Sequence, residues 1–82
     1  MRNYYNELRR AEKLGKSCVR DLFYVFLDEI KAEKDVLELD WLQEDIKCLA
    51  TFSESKELSK MYQELSKELY SWFRENENLF KA

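Results

Sequence analysis

Histidine and proline are absent from these 82 residues, and glycine occurs once, at Gly15. The lack of histidine removes the usual neutral-pH acid–base group. It also excludes the Cys/His zinc sites and the Glu-x-x-His di-iron site that need an imidazole. With no proline and one glycine, little in the chain can break a helix or supply the positive φ of a tight hairpin. Helices are favoured before any periodicity is counted. The two cysteines, Cys18 and Cys48, are too few for a disulfide framework and read as reduced thiols in or near the core. The N-terminal residues show no apolar signal-peptide core. The longest unbroken apolar run, Leu22 to Leu27, is far short of the roughly 20 residues that cross a bilayer. The expectation is a cytoplasmic protein without a membrane span.

What the chain does contain is 45% hydrophobic and 38% charged residues, a balance that supports folding rather than disorder. Its length allows one core, so residues 1–82 are expected to form a single domain.

The clearest segment is C-terminal. Leu58, Tyr62, Leu65, Leu69, Trp72, Asn76 and Leu79 follow steps of four and three, and Met61, Phe73 and Phe80 widen the stripe. This predicts a long amphipathic helix to about Leu79, with Ser53 as the better-placed N-cap and Thr51 to Glu54 as a possible capping box. Glu-Leu-Ser-Lys occurs at 57–60 and again at 64–67, one heptad apart, so self-association through this stripe is an alternative to burial within one molecule. A shorter central helix is expected from Asp40, as N-cap, to about Thr51, burying Trp41, Leu42, Ile46 and Leu49. The alternating stretch Asp35 to Asp40 reads as a connector or an extra helical turn, because an isolated strand leaves its backbone groups unpaired.

In the N-terminal third, Gly15-Lys16-Ser17 has the look of a helix stop, yet Tyr4, Leu8, Ala11, Gly15, Cys18, Leu22 and Phe26 share one face of an unbroken helix. The phase favours one long helix, with Gly15 allowing close approach of a neighbour. Leu22 to Leu27, apolar almost all round, is expected to be the most buried stretch. The fold class is therefore an all-α, small antiparallel bundle: a long N-terminal helix, a short central helix and a long C-terminal helix. If Gly15 breaks the first helix, the same pattern becomes a four-helix bundle.

Net charge is −3 and unevenly placed: through Arg20 there are six basic residues against two acids, and beyond it eight against fifteen. On a continuous helix Arg2, Arg9, Lys13, Lys16 and Arg20 form a basic ridge opposite the apolar stripe, with Tyr24, Leu27 and Lys31 next along it. With Tyr70 on the polar side of the last helix, these are the candidate partner-binding residues. The alternative is an ordinary solvated face with Tyr24 and Leu27 packed inside. Asp28, Glu29, Glu33, Asp35, Glu38, Asp40, Glu44 and Asp45 make an acidic pole, expected to be solvated or to pair with the ridge of another copy. No glycine is placed among them for a calcium loop. The tryptophans, Trp41 and Trp72, are expected in the core.

The run Gln43-Glu-Asp-Ile-Lys-Cys-Leu-Ala-Thr-Phe-Ser-Glu-Ser-Lys-Glu-Leu-Ser-Lys60 resembles the phage-repressor type of helix-turn-helix, whose first helix often opens Gln-Glu-Asp-Leu. It departs from that pattern at Lys47, where a small residue belongs, at Thr51, where a turn glycine belongs, and at Glu57, where an apolar residue belongs. Glu54 would also open the recognition helix with a charge that repels phosphate. No family is assigned.

No catalytic residue, cofactor or metal is expected, since nothing marks a pocket for an activated cysteine or a carboxylate pair. The expected function is non-enzymatic binding of a macromolecule, first of all a protein. Small phage and mobile-element inhibitors and bacteriocin immunity proteins are of this kind, a likeness of size and composition only. A nucleic-acid regulator using the basic helix face, or a self-assembling helical dimer, are the alternatives.

Overall fold

Gly15 ends the first helix. In the computed structural model, which describes residues 3–80, the chain forms α1 (Tyr4–Glu12), α2 (Lys16–Glu33), α3 (Val36–Phe52) and α4 (Lys56–Asn76), closed by a 3₁₀ turn at Glu77–Phe80. Gly15 has φ 123° and ψ 165°. This backbone region is essentially closed to any residue with a Cβ. The unbroken N-terminal helix expected from the phase is therefore corrected to two. Nor does Gly15 admit a neighbouring helix, since a Cβ built there would meet nothing within 4 Å.

A continuous helix over that segment would run roughly 46 Å and carry part of its apolar stripe past the about 31 Å of α4. Folding α1 back beside α2 puts both apolar stripes in one interior. The phase match holds within α1, where Tyr4, Leu8 and Ala11 are buried, and fails across the turn. In α2 the buried set is Val19, Phe23, Phe26, Leu27 and Ile30, while Cys18 and Leu22 are only half-buried. The helix has rolled by about one residue's angle. Tyr24 and Val25 consequently face outward, 46% and 47% exposed, so Leu22 to Leu27 is not buried all round.

α2 stops at Lys34, which takes the left-handed conformation (φ 55°) and donates its N–H to the Ile30 carbonyl at 2.8 Å. The next residue, Asp35, caps α3 by accepting from the N–H groups of Leu37 and Glu38. α3 thus begins at Val36, ahead of the expected Asp40 start, and the acidic–apolar alternation is its first turns. With 17 residues it is no short crosspiece. Ser55 rather than Ser53 caps α4, accepting from Leu58 N–H at 3.1 Å.

α3 and α4 form an antiparallel hairpin. Ser59 Oγ donates to the Ala50 carbonyl at 2.7 Å near the turn, and farther along Gln43 lies beside Ser66 and Tyr70. The two halves of the repressor-like run are therefore laid side by side. α4 ends at Asn76, and the following turn brings Phe80 back against Trp72 and Phe73 at centroid distances of 5.9 and 5.7 Å.

The interior is apolar, with no buried polar or charged residue among those described. Tyrosine–carboxylate bonds stitch its edges: Tyr4 to Glu38 (α1 to α3), Tyr62 to Glu12 (α4 to α1) and Tyr24 to Glu68 (α2 to α4). Tyr62 is fully buried, and burial together with the Glu12 carboxylate holds its phenol far above the ordinary tyrosine range. Two expected core residues are not in the core. Trp41 is 39% exposed and Cys48 is exposed, because the stripe that α3 buries is Leu39, Leu42, Ile46 and Leu49.

Two outcomes follow. Gly15→Ala is expected to destabilise by about 1–3 kcal/mol in urea titration, from backbone strain alone. In an unbroken helix the same change would stabilise by about 1 kcal/mol. Tyr62→Phe leaves the Glu12 carboxylate without its phenol donor and is expected to cost about 1.5–3 kcal/mol, measured the same way.

Candidate functional site

The turn at Gly15 redistributes the basic residues expected to form a ridge. Arg2 lies outside the described residues. Arg9 stacks on the Tyr5 ring (5.4 Å), donates to the Tyr5 hydroxyl at 3.1 Å and to the Phe52 carbonyl at 3.4 Å, and pairs with Glu12 at 3.7 Å. Lys16 pairs with Glu57 at 2.7 Å, and Arg20 with Glu64 at 3.2 Å. With Tyr24 donating to Glu68, they form successive rungs between α2 and α4. Accepting from Lys16 holds the Glu57 carboxyl below its usual range, and the bond to Glu68 pushes the Tyr24 phenol up.

The remaining candidates are not gathered into one surface. Leu27 is buried at 3% exposure, so it packs within the monomer. Lys13 caps α1 at the turn, Lys31 is exposed near the end of α2, and Tyr70 is exposed on α4 beneath Arg74, where it lines a shallow groove facing α3.

The acidic pole is divided as well. Glu38 accepts from Tyr4, and Asp45 accepts the Tyr5 N–H at 3.2 Å. Both carboxylates thus hold the first turn of α1, where the helix dipole favours negative charge. They are structural acceptors rather than a solvated face. Asp40 and Glu44 remain exposed, with no ion pair among the described residues.

Between these acids runs an exposed row that includes Trp41 and Cys48, both expected in or near the core. On the outer side of α3, Leu37 (59% exposed), Trp41, Cys48 and Phe52 (66%) recur at helical spacing, opposite the buried Leu39, Leu42, Ile46 and Leu49. The sequence carried a signal for it. Once α3 extends back to Val36, Leu39 joins Leu42, Ile46 and Leu49 as the inner stripe, and positions 37, 41, 48 and 52 fall opposite it, where polar residues belong. Starting the helix at Asp40 hid Leu37 and left Trp41 free to be assigned inward.

Cys48 stands in this row without a base, and among the described residues no three carboxylates or thiols come together as a metal would need.

Asp45 generates a prediction. Burial, reinforced by Glu44, raises its pKa above the usual carboxylate value against the pull of the Tyr5 N–H. A raised folded-state pKa means that the native protein holds this proton more tightly than the unfolded chain. The protonated form therefore favours folding, and that contribution is lost as pH rises through the shifted pKa. Asp45→Asn keeps an acceptor for Tyr5 and removes the desolvated charge. It is expected to raise the melting temperature at about pH 7 and to flatten the decline as pH rises above the ordinary carboxylate range, followed by thermal melts. A lower melting temperature at neutral pH would contradict this assignment. In comparisons with known proteins the chain matches no family model, and neither a curated protein nor a solved structure matches it, so any functional reading rests on the surfaces described above.

Proposed function

We propose that this chain is a non-enzymatic protein-binding module, of the small inhibitor or adaptor kind, that docks through the outer face of α3. The observation that supports it is the alignment of Leu37, Trp41, Cys48 and Phe52 in one exposed row, in a molecule that fills its interior from the other face of the same helix. Single exposed apolar residues are ordinary. A row anchored by two aromatics is the composition that contact hot spots favour.

The charges argue for protein over nucleic acid. Lys16 and Arg20, the cations a phosphate backbone would need, are occupied by α4 glutamates. α3 itself carries Glu38, Asp40, Glu44 and Asp45 against Lys47 alone, a balance that repels phosphate.

The test compares capture of a partner from cells of the source by the native chain and by surface variants. Trp41→Ala and Phe52→Ala are each expected to weaken capture by about ten-fold or more, with the far-UV circular dichroism unchanged. Lys16→Ala with Arg20→Ala is expected to retain it. Capture that survives the α3 changes and is lost with the α2 changes would move the binding surface to the basic side and overturn the proposal.

A further inference from the structure

Resting on the α3 docking reading, we infer that the occupant of this face is a cationic amphipathic helix of another protein, its apolar side seated on Leu37, Trp41, Cys48 and Phe52 and its Lys or Arg side chains meeting Asp40 and Glu44.

Three features lead to this occupant. The first is shape. The row runs along the helix axis at helical spacing from Leu37 to Phe52, about 22 Å at 1.5 Å per residue. That is the ridge a second helix of about four turns packs against.

The second is area. An aromatic side chain presents about 150–250 Å², so at 39% and 66% exposure Trp41 and Phe52 together offer roughly 200 Å², and Leu37 and Cys48 add less than that again. A self-sufficient interface between two globular copies needs about 800 Å² on each side. The row is too narrow for that and wide enough for the apolar stripe of one helix.

The third is charge. Glu38 and Asp45 are engaged by α1, but Asp40 and Glu44 flank Trp41 with no ion-pair partner among the described residues. Lys47, set toward α4, is the sole cation of α3. An anionic or neutral helix would leave these carboxylates uncompensated beside an apolar contact, whereas a cationic one pairs them. Complementarity of this kind selects partners and speeds encounter.

The experiment uses the full chain carrying Trp72→Phe, so that Trp41 is the only tryptophan reporting. Two synthetic peptides of about 18 residues with one leucine pattern are titrated, one with lysine on its polar face and one with glutamate. The Leu/Lys peptide is expected to shift Trp41 emission to the blue and to bind at least about ten-fold more tightly than the Leu/Glu peptide. Asp40→Lys with Glu44→Lys is expected to reverse that order, with the circular dichroism unchanged.

Equal binding of the two peptides, no binding of either, or a preference indifferent to the Asp40 and Glu44 changes would overturn the inference. A Trp41 shift that appears on concentrating the chain alone, with a doubled mass by light scattering, would overturn it in favour of a second copy. The two readings fail separately. If neither peptide moves Trp41 while Trp41→Ala still abolishes cellular capture, α3 remains the docking face and only the cationic helix is wrong.

Discussion

One dry interior has to serve four apolar stripes, and the turn at Gly15 is the constraint that makes this possible. A backbone at φ 123° lets α1 reverse beside α2 instead of running on past the end of the bundle. Once it does, Tyr4 and Leu8 join Phe26 in the core, with Tyr4 edge-on to Phe26 at 4.8 Å. The reversal exposes Leu14 at 78%. One leucine left in water costs about 1.5–3 kcal/mol, a small loss beside the burial of the whole α1 stripe.

The same reversal decides which charges remain free. Had the N-terminal segment been one rod, its cations would have formed a continuous outward ridge. Because α2 rolls relative to α1, Lys16 and Arg20 come within reach of Glu57 and Glu64 on α4, and Arg9 comes over the end of α3. Each pair is exposed and screened by solvent, and adds little to stability. Their larger effect is to hold Lys16 and Arg20 against α4, while the acids of α3 divide into those that hold α1 and those that face solvent.

The helical class and most of the core were legible in the sequence, because the C-terminal stripe from Leu58 to Leu69 repeats at helical pitch with nothing to interrupt it. Three particulars were not. At Gly15 two local signals conflicted, and phase within a segment cannot reveal that folding back buries more of its apolar stripe than running on. At Asp35 and Asp40 two residues equally suited to N-capping stood five apart, and only packing shows which one has the free N–H groups above it. At Ser53 and Ser55 the same ambiguity recurs with two hydroxyls. The α3 row was hidden by the second of these ambiguities, since a helix begun at Asp40 leaves out Leu37 and Leu39, which mark its outer and inner faces. The outward turn of Tyr24 and Val25 follows from the roll after Gly15, which no local pattern encodes.

α3 is tied to α1 at its start, its middle and its end: Glu38 by the Tyr4 phenol, Asp45 by the Tyr5 amide, and the Phe52 carbonyl by Arg9. Greasy contacts alone leave a cylinder some freedom to spin about its long axis, but three polar ties at fixed reach set its azimuth. The outward comb of side chains is therefore held at one angle before anything arrives. A partner docking there, as proposed, would meet a surface already aligned, with the entropy of lining it up lost when the chain folded rather than on binding.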